Sequence, residues 1–253
     1  MMLHPLPNWA RRIEYIQSTG TQYIDTGVMA GPNTRSETDI DVTWGNSAVY
    51  ALSGCGVSRH VFGRGWTSSP RNTHLYIGLG GTNYDTGVLL SNLAGRHTYW
   101  IDAPLGKGGF DDAEFSISAT VSENAFTSLL LAQRQTATTI RGRLNARLYG
   151  CRYYQSGTLV RSFVPCRVGS TGALWDEVTG ALFANAGTGA FALGMDIAGG
   201  VSRHAVIAPP ARRAEGMTRS GSTIRPAGGP SHERVSPALA PSARRIMEGR
   251  HAA

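Results

Sequence analysis

The sequence predicts an all-β fold: two antiparallel sheets packed as a sandwich or closed as a barrel. Three observations predict it. Short runs alternate apolar and polar residues with period two, or stay apolar for four or five positions. Glycine accounts for 32 of 253 residues and charged residues for only 16%; turns between short strands use glycine, and half-buried strands need few charges. No apolar stripe with the 3.6-residue helical period crosses residues 13–193.

Taken in order, Thr38, Ile40 and Val42 alternate with Glu37, Asp39 and Asp41, so one strand face is core and the other carries three carboxylates aimed at solvent. His74-Leu75-Tyr76-Ile77 and His97-Thr98-Tyr99-Trp100-Ile101 are rich in aromatic and branched side chains and read as strands, with Trp100 expected in the core. Phe115 to Val121 alternates throughout and predicts a further strand. Ser128 to Ala132 is continuously apolar, as a strand covered on both faces would be. Arg147 to Cys166 reads as a hairpin about Ser156-Gly157. A two-residue turn there pairs Tyr153 with Val160, Cys151 with Ser162 and Arg147 with Cys166. The thiols are then about 13 Å apart along the strand, too far to bond. A second hairpin about Val178-Thr179-Gly180 joins Leu174-Trp175 to Leu182-Phe183.

The chain divides by composition. Its formal charge is +7, from 23 arginines and a single lysine (Lys107) against 17 acids. Residues 196–253 hold nine of those arginines, four acids, six of the 12 prolines and no aromatic residue. Such a segment lacks the apolar mass to offset its ordering entropy and reads as a disordered tail. Residues 1–12 read as an N-terminal lead-in and residues 13–195 as the folded domain. No apolar run approaches the roughly 18 residues of a membrane span, and the apolar stretch of a secretory signal is missing at the start. Cys55, Cys151 and Cys166 match no zinc or CxxC spacing and are expected as buried thiols.

Three stretches carry a resemblance. The first is Ile13-Glu14-Tyr15-Ile16-Gln17-Ser18-Thr19-Gly20-Thr21-Gln22-Tyr23-Ile24-Asp25-Thr26-Gly27. The second is Leu148-Tyr149-Gly150-Cys151-Arg152-Tyr153-Tyr154 with Gly157-Thr158-Leu159-Val160-Arg161-Ser162-Phe163-Val164-Pro165. The third is Leu174-Trp175-Asp176 with Gly180, Phe183, Asn185, Gly187-Thr188-Gly189 and Phe191. Over residues 10–194 the chain resembles the concanavalin A-like, laminin-G-like jelly-roll modules of phage, prophage and bacterial surface proteins. The resemblance implies a two-sheet antiparallel jelly-roll β-sandwich located in a virion or at a bacterial cell surface. It also implies a non-catalytic role in carbohydrate binding, protein adhesion or virion structure. Its motif residues look like scaffold: Gly20, Gly27, Gly157, Gly180 and Gly187 at turns, Asp25, Asp176 and Asn185 bonding turn backbone, and Tyr15, Tyr23, Tyr149 and Phe163 in the core.

The search for chemistry leaves a short set of candidates. Glu37, Asp39 and Asp41 lie on one strand face, and laminarinase-type glycoside hydrolases of similar fold use acids so spaced. Here the third acid is Asp rather than Glu, and no aromatics flank the run. No catalytic residue is therefore assigned, with hydrolysis by Glu37 and Asp39 kept as the alternative. No phosphate-binding glycine loop, nucleophile elbow or HExxH is present. Calcium is the one possible cofactor, through loop oxygens of Asp111 and Asp112, with Asn83 to Asp85 a second such loop. A glycan site needs an aromatic platform beside hydrogen-bonding groups, which points to Trp66, Tyr84 and Asp85. The expected partners are a glycan or protein surface and other virion proteins. Nucleic acid is expected only as a weak ligand of the arginine-rich tail, which has no aromatics for base stacking, and no membrane partner is expected.

Overall fold

A computed structural model of the chain describes residues 2–44, 51–54, 59–64 and 73–198. They belong to one compact unit ending at Arg203. Trp66, Cys55 and the segment from residue 199 onward lie outside the described residues.

The described residues form antiparallel strands with two short 3-10 turns, Leu90–Asn92 and Ala103–Leu105, and contain no α-helix. The fold is all-β and sandwich-like. The larger sheet runs β11 (Ala113–Ser116), β10 (Lys107–Phe110), β9 (Arg96–Asp102), β4 (Thr34–Val42), β15 (Asn145–Gln155), β16 (Thr158–Val168), β17 (Thr171–Asp176), β18 (Ala181–Ala184). Onto it pair β1 (Arg11–Arg12) against β16, β2 (Ile16–Thr19) against β15, and β19 (Ala192–Leu193) against β2. The smaller sheet runs β3 (Ile24–Met29), β12 (Thr127–Leu130), β5 (Ala51–Gly54), β6 (Arg59–Arg64), β7 (His74–Gly80), β8 (Thr82–Leu89). A separate pair joins β13 (Gln133–Arg134) to β14 (Ile140–Arg141).

One core joins the sheets. Ile40, Tyr99, Leu148, Tyr153 and Phe163 from the larger sheet share a buried cluster with Ile24, Phe62, Leu75, Ile77 and Leu130 from the smaller. Each fully buried side chain of this kind contributes about 1.5–3 kcal/mol. A polar bond also crosses between the sheets: Ser36 Oγ and His60 Nε2 lie 2.9 Å apart, both buried.

Period-two patterning holds best in β4, where every even residue from Thr34 to Val42 is buried and every odd one is partly exposed. The hairpin about Val178-Thr179-Gly180 is present, with Leu174 opposite Phe183 and Trp175 opposite Leu182. Three expectations need correction.

The β15–β16 hairpin turns at Ser156-Gly157, with φ 49° and 79°, but a bulge follows. Tyr154 faces Leu159 while Tyr153 faces Arg161, so Val160 is the extra residue. Cys151 therefore faces Phe163, not Ser162. The shift has a packing reason: it turns Phe163 into the core and frees Ser162 Oγ to donate to Glu177 at 2.9 Å. Cys166 faces Arg12 and Ala173 instead of Arg147. The two thiols are buried on opposite faces of the sheet, Cys151 in the main core and Cys166 in a small cluster with Val164, Ala173 and Trp175.

The second correction concerns Phe115 to Val121. The strand ends at Ser116, and residues 117–121 keep alternating burial without pairing to a strand. The third concerns aromatics assigned to the core. Phe163 is there, but Trp100 and Tyr15 stand partly exposed on the outer face of the larger sheet, Tyr149 is buried on that face against Tyr15 and Arg96 and not in the core between the sheets, and Tyr23 is only partly buried beneath Arg143. Residues 2–10 also lie against this sheet: His4 N–H donates to Glu177 O, Trp175 Nε1 donates to His4 O, and Leu6 packs on the Cys166 cluster.

Candidate functional site

The alternation of β4 sends Arg35, Glu37, Asp39 and Asp41 to the outer face of the larger sheet. Register supplies their neighbours. Across β9, Glu37 faces Trp100 and Arg35 faces Asp102; across β15, Glu37 faces Arg152 and Arg35 faces Tyr154. Directly opposed residues share a sheet face, so these six side chains form one cluster.

Arg35 organises it. Its Nε and Nη2 donate to Glu37 Oε1 at 3.0 and 2.8 Å, and its Nη1 donates to Asp102 Oδ2 at 3.0 Å. The same guanidinium sits over the Trp100 indole, 5.5 Å from the ring centroid. Asp102 in turn accepts from Leu105 N–H at 3.3 Å, which fixes the turn after β9. Arg152 approaches Glu37 Oε2 at 3.9 Å. Burial, and after it the Glu37 carboxylate, pushes the Tyr154 phenol above its ordinary value against the pull of Arg152 and Arg35. Gly109 faces Trp100 from β10; a Cβ there would meet Trp100 Cζ2 at 2.8 Å and Ala113 O at 1.9 Å, so only glycine leaves room for the indole. The result is a partly exposed tryptophan ringed by hydrogen-bonding side chains whose positions are fixed by one another.

The same face continues along β4. Arg96 holds both oxygens of Asp39, at 2.7 and 2.5 Å, and lies 4.1 Å from the Tyr149 ring centroid. Tyr149 meets Tyr15 edge-on at 5.6 Å, and Arg147 lies 5.0 Å from the Tyr15 centroid.

The candidates from the sequence separate in space. Glu37, Asp39 and Asp41 do share a face, but Asp39 is held by Arg96 and Glu37 by Arg35 and Arg152. Tyr84 packs against the core beside Phe115, 6.1 Å between centroids. Asp85 accepts from His74 Nδ1 at 3.1 Å, Tyr76 Oη at 3.1 Å and Gly87 N–H at 2.9 Å. Burial opposes ionisation of Asp85, yet these donors outweigh it and hold its carboxyl below the usual range. Asp111, in the β10–β11 turn, accepts from His97 Nδ1 at 2.6 Å and Thr98 N–H at 2.9 Å, while Asp112 beside it is exposed. Among the described residues no group of three or more His, Cys, Asp or Glu side chains is placed to hold a metal ion. At the turns, Asp176 accepts from Ser162 N–H, Val178 N–H and Thr179 Oγ1, and Asn185 Oδ1 accepts from Tyr23 and Gly187 N–H.

One sequence repeat emerges only with the structure. Asp25-Thr26-Gly27-Val28 and Asp85-Thr86-Gly87-Val88 sit in β3 and β8, the two edges of the smaller sheet. Both form the same bulge: Asp Oδ1 accepts the Gly N–H, Thr Oγ1 accepts the Val N–H and donates to a neighbouring carbonyl, and Gly has φ 67° or 70°. Five strand spacings of about 4.8 Å separate the two acids, so they do not act together as one carboxylate pair.

No protein-family model matches the chain, and no curated protein does. Among solved structures the chain is similar to a candidate carbohydrate-binding protein from Bacteroides ovatus ATCC 8483, with a TM-score of 0.51 and 14% identity. The match covers 74% of this chain and 62% of that one. At this identity the likeness is one of fold.

Proposed function

We propose that the chain is a non-catalytic carbohydrate-binding module with a concanavalin A-like jelly-roll sandwich, acting in adhesion at a bacterial or virion surface. In this reading residues 13–195 are the module, residues 1–12 a lead-in and residues 196–253 a tail.

The observation that carries the proposal is Trp100. The part of the indole left exposed beside the Arg35 guanidinium that lies over its ring offers an apolar surface for a sugar, with Glu37 on the neighbouring strand and Arg152 and Tyr154 one strand further on as polar groups for its hydroxyls. The fold likeness to a candidate carbohydrate-binding protein points the same way. The ion pairs favour binding over hydrolysis: Arg96 occupies both oxygens of Asp39 and Arg35 occupies Glu37, so both acids of the candidate pair are already held by guanidiniums.

Retention of the full chain on a panel of neutral polysaccharides in affinity gels tests the proposal. Retention of at least one polysaccharide without its turnover is expected. No retention across the panel, with stable incorporation into particles, would favour a structural virion subunit. Turnover that disappears in Glu37→Gln would favour the hydrolase.

A further inference from the structure

We propose that Arg143 and Arg147 form an anion-binding strip at the end of the same outer face, fitted to an acidic polysaccharide. The inference rests on the glycan-binding reading of that face and names a second class of sugar chain for it.

Leu144, Ala146 and Leu148 are buried in the core. Arg143 and Arg147 alternate with them and are exposed on the outer face. Each guanidinium lies over a tyrosine, Arg143 at 6.0 Å from the Tyr23 centroid and Arg147 at 5.0 Å from the Tyr15 centroid. Arg147 Nε also donates to Gln17 Oε1 at 3.3 Å, and its side chain hydrogen-bonds Tyr149. Neither forms an ion pair among the described residues, although Asp41 stands opposite Arg147 in the strand register. The other arginines of this face are neutralised: Arg35 by Glu37 and Asp102, Arg96 by Asp39, and Arg152 by Glu37.

Two guanidiniums that contact no carboxylate among the described residues therefore stand at this end of the face, with Asp41 across the strand from Arg147. Stacking on the tyrosines pre-orders them, so little rotamer freedom is lost on binding. Their solvent-facing N–H groups suit the oxygens of a carboxylate or sulfate. Four residues of extended backbone leading into β15 set them about 13 Å apart, which asks for an extended chain with repeated anions. Single-stranded nucleic acid is the competing polyanion, and the oligothymidylate arm of the test distinguishes it.

The test measures binding of the full chain to dextran sulfate, unmodified dextran and single-stranded oligothymidylate at physiological salt. Arg143→Ala with Arg147→Ala is expected to weaken dextran sulfate binding by about tenfold or more with no shift in melting temperature. Lysine at both positions is expected to restore only part of the loss. Arg212→Ser with Arg213→Ser, in the basic segment beyond residue 199, is expected to change affinity little. The proposal is overturned if the alanine variant binds like wild type or if the lysine variant fully restores affinity. It is likewise overturned if the Arg212/Arg213 variant loses as much as the alanine variant, or if oligothymidylate binds more tightly than dextran sulfate. Trp100→Ala separates the two readings. Neutral-polysaccharide binding lost in Trp100→Ala, with dextran sulfate binding unaffected by the arginine changes, overturns the strip alone. The reverse pattern overturns the Trp100 site alone.

Discussion

Arg35 lies over the indole of Trp100 while its nitrogens hold Glu37 and Asp102, so a single guanidinium ties two neighbouring strands and positions Trp100 on the outer face. The Glu37 and Asp102 side chains are only 13% and 10% exposed, and carboxylates that far from water depend on their partner.

Removing that guanidinium is expected to be costly. Arg35→Ala should destabilise the protein by about 2 kcal/mol, because two partly buried carboxylates lose their donors. Arg35→Lys should recover part of this, since an ammonium keeps the charge but not the fork. Urea denaturation at neutral pH measures both; an Arg35→Ala variant as stable as wild type contradicts the clamp.

The Ser36–His60 bond between the sheets makes stability depend on pH. Burial lowers the His60 imidazole from 6.5 to about 4, and its Nδ1 is buried without a partner. A histidine held neutral in the folded state lets the unfolded state bind more protons below pH 6.5. Its stabilising contribution is thus complete above pH 6.5, falls as pH drops from 6.5 to about 4, and changes no further below that. The loss across the window is about 3 kcal/mol. Unfolding free energies of wild type and His60→Leu at intervals from pH 7 to 4 test this; equal slopes in the two proteins would place the pH dependence elsewhere.

Thiol labelling distinguishes the folded and unfolded chains. Burial pushes the Cys151 thiol up to about 12 and the Cys166 thiol up to about 11, and a protonated, covered thiol is a poor nucleophile. Peptide mapping after brief iodoacetamide treatment at pH 8 should find both unmodified in the native protein and both modified in urea. Fast native labelling of Cys166 would mean that residues 2–10 do not cover it.

Several elements were legible in the sequence because a local pattern met a single burial rule. In β4 the even residues face the core and the odd ones do not, and the Val178 to Gly180 hairpin needed only its turn. Misreadings arose where non-local packing intervened. The extra residue at Val160 is set by the demand for Phe163 in the core, which no turn chemistry announces. The aromatic and branched run around Trp100 predicts a strand, yet strand membership does not choose the face. That choice follows from its neighbours Tyr99 and Ile101, both buried. The Asp-Thr-Gly-Val pair was present in the letters, but its meaning depends on both copies lying at sheet edges.

Those paired bulges differ in burial and should differ in cost. Thr26 is fully buried and bonds Ser128 O at 2.7 Å and Val28 N–H at 3.1 Å. Thr86 makes the matching bonds to Leu75 O and Val88 N–H from a partly exposed position. Thr26→Val should cost about 2 kcal/mol and Thr86→Val about 1 kcal/mol, read by chemical denaturation. Serine at either position should restore most of the loss. A larger cost at Thr86 than at Thr26 would contradict the bulge geometry.

The central claim is that Trp100 is the sugar platform of the outer face. Calorimetric titration of the neutral polysaccharide that wild type retains best tests it most directly, with Trp100→Ala and Trp100→Phe alongside. Trp100→Ala should lose at least about 1 kcal/mol of binding free energy while remaining folded at the titration temperature, and Trp100→Phe should keep part of the affinity. Unchanged affinity in Trp100→Ala would contradict the claim and move the binding site off this face.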